Sequence, residues 1–113
     1  RSGLLETTIV HWGGEIGRLA VTEGDPNSGG RDHNGQGFSC WLAGGGIKSG
    51  ITYGETDEVG HRAAVDKVTP NDFQATLLHL FGIDYQKLFF FHNGQQQQLT
   101  NGRPARVVRD ILS

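Results

Sequence analysis

Apolar residues along the 113-residue chain come in short runs, each closed by glycine. Residues 7–12, Thr-Thr-Ile-Val-His-Trp, are β-branched and aromatic and stop at Gly13-Gly14, which predicts a buried strand. A second buried strand is predicted over 38–43, Phe-Ser-Cys-Trp-Leu-Ala, closed by Gly44-Gly45-Gly46, with a short strand following at 51–53. Between the first two runs, residues 13–37 are dense in Gly, Asn and Asp. They read as a long loop with one helical turn near Glu15 to Ala20. Loops of that length in a compact domain are usually functional or disordered. Residues 54–65 read as another polar loop.

The second half changes period. Phe73, Leu77 and Leu80 recur at i, i+4 and i+7, with Thr76 and Phe81 alongside. This predicts a helix capped by Thr69 or Asn71, with Pro70 in the first turn and Gly82 as the stop. The stretch from Lys87 to Thr100 reads as a hairpin, because Asn93-Gly94 is a type I′ turn signal. Its four glutamines, 95–98, form an exposed edge strand. A C-terminal helix is predicted from Pro104, apolar at Val107, Val108, Ile111 and Leu112. The order β-loop-β-loop-α-β-β-α is an α/β pattern with two main helices.

Composition narrows the class. The length suits one domain over 1–113. Glycine is high, 18 of 113 residues, against an average of roughly 7%. A net charge of −2 gives no basic footprint for nucleic acid and no polybasic membrane patch. No stretch is long enough to span a membrane. The single cysteine, Cys40, excludes an internal disulfide and a cysteine zinc site, and its apolar run predicts a buried, inert thiol. The chain opens Arg-Ser-Gly-Leu-Leu-Glu-Thr-Thr, as if entered mid-protein, so missing targeting signals say little about location.

Three familiar motifs fail. Ala-Gly-Gly-Gly-Ile-Lys-Ser-Gly, 43–50, has Ile47 where a phosphate loop needs glycine before its lysine, and a strand is expected where that loop opens a helix. A calcium loop starting at Asp25 would need a closing glutamate where Gln36 stands. No nucleophile-elbow pattern occurs.

Three titratable clusters remain: Glu15 with Arg18, the triplet Arg31-Asp32-His33, and the separate His79 and His92. Ligand sites in open α/β sheets gather at the carboxyl ends of strands. Glu15 and Arg18 are placed there if strand 7–12 is central. Glycines on both sides of the triplet allow Asp32 and His33 to aim at the same end. Carboxylates with one imidazole suit Zn, Mn or Mg, and the arginines suit bidentate clamping of phosphate or sulfate. The plain alternatives stand beside this reading. His33 is a solvated loop residue, Asp32 forms an Asx turn, and Glu15–Arg18 is an i,i+3 surface pair. His11 reads as buried in its strand, His79 as a helix histidine, and His92 as a surface residue beside the hairpin turn.

Three segments in order, Thr-Ile-Val-His-Trp-Gly-Gly-Glu-Ile-Gly-Arg-Leu (8–19), Gly-Gly-Arg-Asp-His-Asn through Leu-Ala-Gly-Gly-Gly-Ile-Lys (29–48), and Asp-Phe-Gln-Ala-Thr-Leu-Leu-His-Leu-Phe-Gly-Ile-Asp (72–84), carry a resemblance. The chain resembles the C-terminal part of an uncharacterised bacterial sulfatase-like family of the alkaline-phosphatase/sulfatase superfamily. The likeness covers nearly all 113 residues. It implies an α/β/α sandwich, of which this chain would supply a few-stranded mixed sheet and two main helices. It also implies an exported parent about four times longer, whose N-terminal part holds the nucleophile and first metal carboxylate. Glu15 then stands where a ligand pair's carboxylate falls, and His33 where a lone ligand histidine falls. Asp32 is a ligand or orients His33, and Arg18 and Arg31 steady the anion. The implied metal is Zn, Mn or Ca. Two departures weaken the match. Ile16 occupies the place of the pair's histidine, and Glu15 to Ala20 read Glu-Ile-Gly-Arg-Leu-Ala where the family has Glu-Phe-Gly-Arg-Thr-Pro.

The reading is therefore the C-terminal part of a metal-dependent sulfate- or phosphate-ester hydrolase, silent alone. Its partners would be an anionic ester and the missing N-terminal part. The rival is a non-catalytic domain that keeps the fold and binds or assembles, with an exposed sheet edge open to a second copy.

Overall fold

The computed structural model describes all residues except Arg1, Glu23 and Ser28. The chain forms two compact units, residues 1–67 and 68–113.

The first unit is built from short antiparallel ribbons. Strand β1 (Val10–Trp12) pairs with β4 (Trp41–Ala43), setting Val10 against Ala43, His11 against Leu42 and Trp12 against Trp41. Strand β2 (Gly17–Arg18) pairs with β3 (His33–Asn34). Strand β5 (Glu55–Thr56) pairs with β6 (Ala63–Val65) through an irregular register. Glycine-rich turns cut these strands to two or three residues. At Gly44-Gly45-Gly46 all three φ angles are positive. A Cβ on Gly44 would run into the carbonyls of Thr8 and Leu5, and the Gly45 amide donates to the Leu5 carbonyl at 2.9 Å. This turn fastens the end of β4 to the chain before β1, and no helix follows it.

The second unit holds the one α-helix among the described residues, α1 (Pro70–Leu80). Thr69 caps it. The Thr69 hydroxyl accepts the Asp72 amide, and the Asp72 carboxylate accepts the Thr69 amide, a reciprocal capping box. The other end closes on Gly82 at φ +75°. There Gly82 N–H donates to the His79 carbonyl and Ile83 N–H to the Leu78 carbonyl, the five-to-two and six-to-one bonds of a Schellman stop. Strands β7 (Phe89–His92) and β8 (Gln95–Gln98) form a regular hairpin. Asn93 and Gly94 both sit at positive φ, as a type I′ turn requires.

The C-terminal segment is stitched to α1 side chain by side chain. The Arg106 amide donates to Asp72 Oδ1 at 2.8 Å, and the Val108 amide donates to Thr76 Oγ1 at 2.9 Å. The Thr76 hydroxyl in turn donates to the Asp72 carbonyl at 2.7 Å, and the Tyr85 hydroxyl to the Ala105 carbonyl at 2.6 Å. Ala75 and Val108 are the buried apolar side chains of the described residues.

Several expectations are corrected here. The described residues do not form an α/β/α sandwich with a mixed sheet and two main helices. Among them every strand pair is antiparallel, the pairs form four separate two-stranded ribbons, and α1 is the one α-helix. The helix expected from Pro104 is a single 3-10 turn, Arg109–Ile111. The amides of Arg106 and Val108 face α1 in alternation, which is extended-chain geometry, and the adjacent β-branched Val107 and Val108 favour it over a helix. Strands 7–12 and 38–43 shrink to three residues each and are not buried. Val10, Trp12 and Trp41 are exposed, as are His11 and Cys40. The helical turn near Glu15 is instead β2, and the strand expected at 51–53 is irregular. The polar loop 54–65 carries β5 and β6.

Candidate functional site

Ribbon β2–β3 is where the expected site residues meet. Arg18 stands directly opposite His33, and Gly17 opposite Asn34. Directly opposed residues leave a ribbon on the same face, so the guanidinium and the imidazole share one side. The pairing continues one step further, since the Leu19 amide donates to the Asp32 carbonyl at 2.8 Å. Glycine at 17 is required by space: a Cβ there would stand 2.7 Å from the Gly37 carbonyl oxygen.

Arg18 folds back over its own strand. Its Nη1 donates to the Gly17 carbonyl at 3.0 Å and more weakly to that of Ile16 at 3.4 Å. Its Nη2 lies 3.7 Å from Glu15 Oε1. Both side chains are well exposed, so this pair is worth about 0–1 kcal/mol and opens readily. Asp32 Oδ1 accepts the His33 amide at 2.7 Å. Ile16 is half-buried. Its Cδ1 lies 3.6 Å from where a Cβ on Gly35 would stand, so it fills space against the β3 turn.

One residue outside the sequence-derived set holds the ribbon in place. Asn34 is 2% exposed. Its Nδ2 donates to the His61 carbonyl at 2.8 Å and to that of Gly60 at 3.4 Å. Its Oδ1 accepts the Gln36 amide at 2.9 Å. The receiving turn is built by Asp57. Asp57 Oδ1 accepts the His61 amide at 2.7 Å, the Gly60 amide donates to the Asp57 carbonyl, and Arg62 Nε lies 3.7 Å from Oδ2. The His61 amide holds the Asp57 carboxyl below its ordinary range, and against the opposing effect of burial it is helped by the Arg62 amide and charge. A Cβ on Gly37 would stand 2.8 Å from Ala63 N, so the turn and the ribbon exit are in close contact. The signal for Asn34 was present in the Arg-Asp-His-Asn stretch, but no periodic pattern marks a lone buried amide.

The expected residues are thus partly assembled. Arg18 and His33 belong to the ribbon, Glu15 and Asp32 flank its strands, and Arg31 is exposed just before Asp32. The loop 27–38 includes Ser28, which lies outside the described residues. Asp25, the start of the rejected calcium loop, caps its own turn by accepting from Asn27. His79 and His92 belong to the second unit and are exposed. Cys40 is exposed as a residue, yet partial desolvation by its neighbours pushes the thiol up from its ordinary value, which leaves less of the reactive thiolate.

Among the described residues, no three His, Cys, Asp or Glu side chains are arranged to hold a metal ion. Glu15 faces Arg18, and Asp32 is turned to its neighbour's amide. These donors therefore do not form a metal site by themselves. No described helix is long and apolar enough to cross a membrane.

A glycine-rich chain of antiparallel ribbons, one of them setting Arg18 opposite His33 with Glu15 and Asp32 at its ends, is the class that fold and site define. The family described as Protein of unknown function (DUF1501) matches residues 1–112, and the chain belongs to that family. Comparison with curated proteins and with solved structures gives no match.

Proposed function

We propose that this chain is part of a metal-dependent sulfate- or phosphate-ester hydrolase-like protein, and that it contributes the β2–β3 ribbon to a shared site. The supporting observation is the register of that ribbon, which sets Arg18 opposite His33 with Glu15 beside Arg18. Residues 15–18 and 31–33, far apart in sequence, come to one place with their polar groups exposed.

In this reading Glu15, Asp32 and His33 are donors toward a divalent cation, Zn, Mn or Ca, whose other ligands and whose nucleophile come from outside these 113 residues. The cation would supply Lewis acidity toward the ester oxygen. The chain's own part is positional. Asn34 and the Asp57–Arg62 turn fix the ribbon, and Asp32 holds the His33 amide. Arg18 exchanges a weak surface pair for the anionic ester, which its planar fork suits better. Arg31 adds a second positive charge at the ribbon edge.

The test is turnover of p-nitrophenyl sulfate and p-nitrophenyl phosphate by the intact protein. Hydrolysis of one of them, lost in Glu15→Ala and in His33→Ala, is the expected result. Turnover that survives both substitutions would remove the ribbon from the site.

A further inference from the structure

Hairpin β7–β8 presents an unusual surface. Residues 88–102 contain no Asp, Glu, Lys or Arg and no Pro. Register is unbroken at all four pairs, Phe89 against Gln98 through His92 against Gln95. Strand edges are ordinarily protected by charge, proline or a bulge, and this ribbon has none of the three. Among the described residues, β7 and β8 pair only with each other, so each keeps an outer edge. Side chains alternate between faces along a strand. Phe89 and Phe91 are therefore on one face and Phe90 on the other, and all three are exposed, at 42%, 78% and 44%. A two-stranded hairpin with apolar residues open on both sides is marginal by itself and gains from further strands.

We infer that the outer edge of β8 pairs antiparallel with β8 of a second copy of this chain, making a four-stranded sheet from two hairpins. The identity of the occupant follows from the four consecutive glutamines. A closed two-fold contact requires residue i to meet j and j to meet i. Directly opposed residues must also share a face, so the axis passes through one residue, Gln96 or Gln97. Either choice sets glutamine against glutamine at three successive positions. Each amide both donates and accepts, so identical side chains satisfy one another across the axis. The same symmetry brings Phe90 of both copies to one face and Phe89 and Phe91 of both to the other. A contact of about four residues is small, so the dimer exchanges and depends on concentration.

Sedimentation velocity on the full chain over a concentration series tests this. Three proteins are run: the wild type, Gln96→Lys/Gln97→Lys and Gln96→Glu/Gln97→Glu, with far-UV circular dichroism verifying the fold of each. The wild type is expected to approach twice the chain mass. Each variant alone stays at one chain mass, because like charges meet at the axis, and an equal mixture of the two recovers the dimer. A wild type that remains a monomer at its highest soluble concentration overturns the inference. So does a dimer that both variants keep, a mixture that fails to recover it although both variants are folded, or growth into open-ended filaments.

Discussion

The Asn34 side-chain amide donates to the His61 carbonyl at 2.8 Å across 27 residues of chain, and this bond carries the β2–β3 ribbon. The residue beside His33 is buried and fully engaged, while His33 itself is exposed. A rigid anchor next to an accessible imidazole is an arrangement suited to presenting a ligand.

Asn34→Ala is expected to destabilise the first unit by about 1–3 kcal/mol, because it removes three hydrogen bonds from a buried amide to part-buried backbone groups. Both tryptophans, Trp12 and Trp41, lie in that unit, so denaturant unfolding followed by tryptophan fluorescence reads it separately. An unchanged midpoint would show that the anchor is dispensable.

Two glycines give a steric contrast. Gly37→Ala places a Cβ 2.8 Å from Ala63 N and 2.9 Å from Arg62 C, against backbone that cannot turn aside. A loss of about 1–3 kcal/mol is expected. Gly30→Ala meets nothing within 4 Å and should leave the same unfolding curve within about 0.5 kcal/mol.

Thr76 ties helix to C-terminal segment by accepting from Val108 and donating to the Asp72 carbonyl. Thr76→Val keeps the shape but leaves the Val108 amide unpaired in a buried setting, at a cost of about 1–3 kcal/mol. Amide hydrogen exchange at Val108 should accelerate by the corresponding factor. Unaltered protection there would contradict the stitch.

Acid should weaken the same unit. Burial alone would raise the Asp72 carboxyl. The Thr69 and Arg106 amides, the Thr69 hydroxyl and the Arg106 charge outweigh it, and the group sits below its ordinary value of 3.8. A carboxyl whose folded value lies below its unfolded one contributes stability that is present above the unfolded value. That stability is lost as pH falls through the folded value. Unfolding followed by exchange at Val108 should therefore steepen below about pH 4. Asp72→Asn should flatten that limb, leaving the half-buried Asp57 in the other unit to titrate. An acid limb unchanged by the substitution would deny Asp72 this part.

How much of this was legible depends on whether the signal was local. Helix α1 and hairpin β7–β8 are written in adjacent residues, Thr69-Pro70, Gly82 and Asn93-Gly94, and both formed where the pattern placed them. The pairing of Arg18 with His33 is not local. Two-residue strands have no period to read, and only the shared chemistry of Glu15, Arg18, Asp32 and His33 pointed to it. The buried strands and the sandwich were misread for one physical reason. An apolar run such as Val10-His11-Trp12 marks a strand but not what covers it, and here the ribbon leaves Trp12 exposed. The C-terminal helix failed because Asp72 and Thr76 take the backbone amides of Arg106 and Val108, a partnership visible only in three dimensions.

The most direct test of the shared-site account is the metal content of the intact protein, purified without added metal and compared with His33→Ala. The account predicts stoichiometric Zn, Mn or Ca in the wild type and its loss in the variant, with the fold retained by circular dichroism. A wild type without stoichiometric metal, or a variant that keeps it in full, would contradict the account.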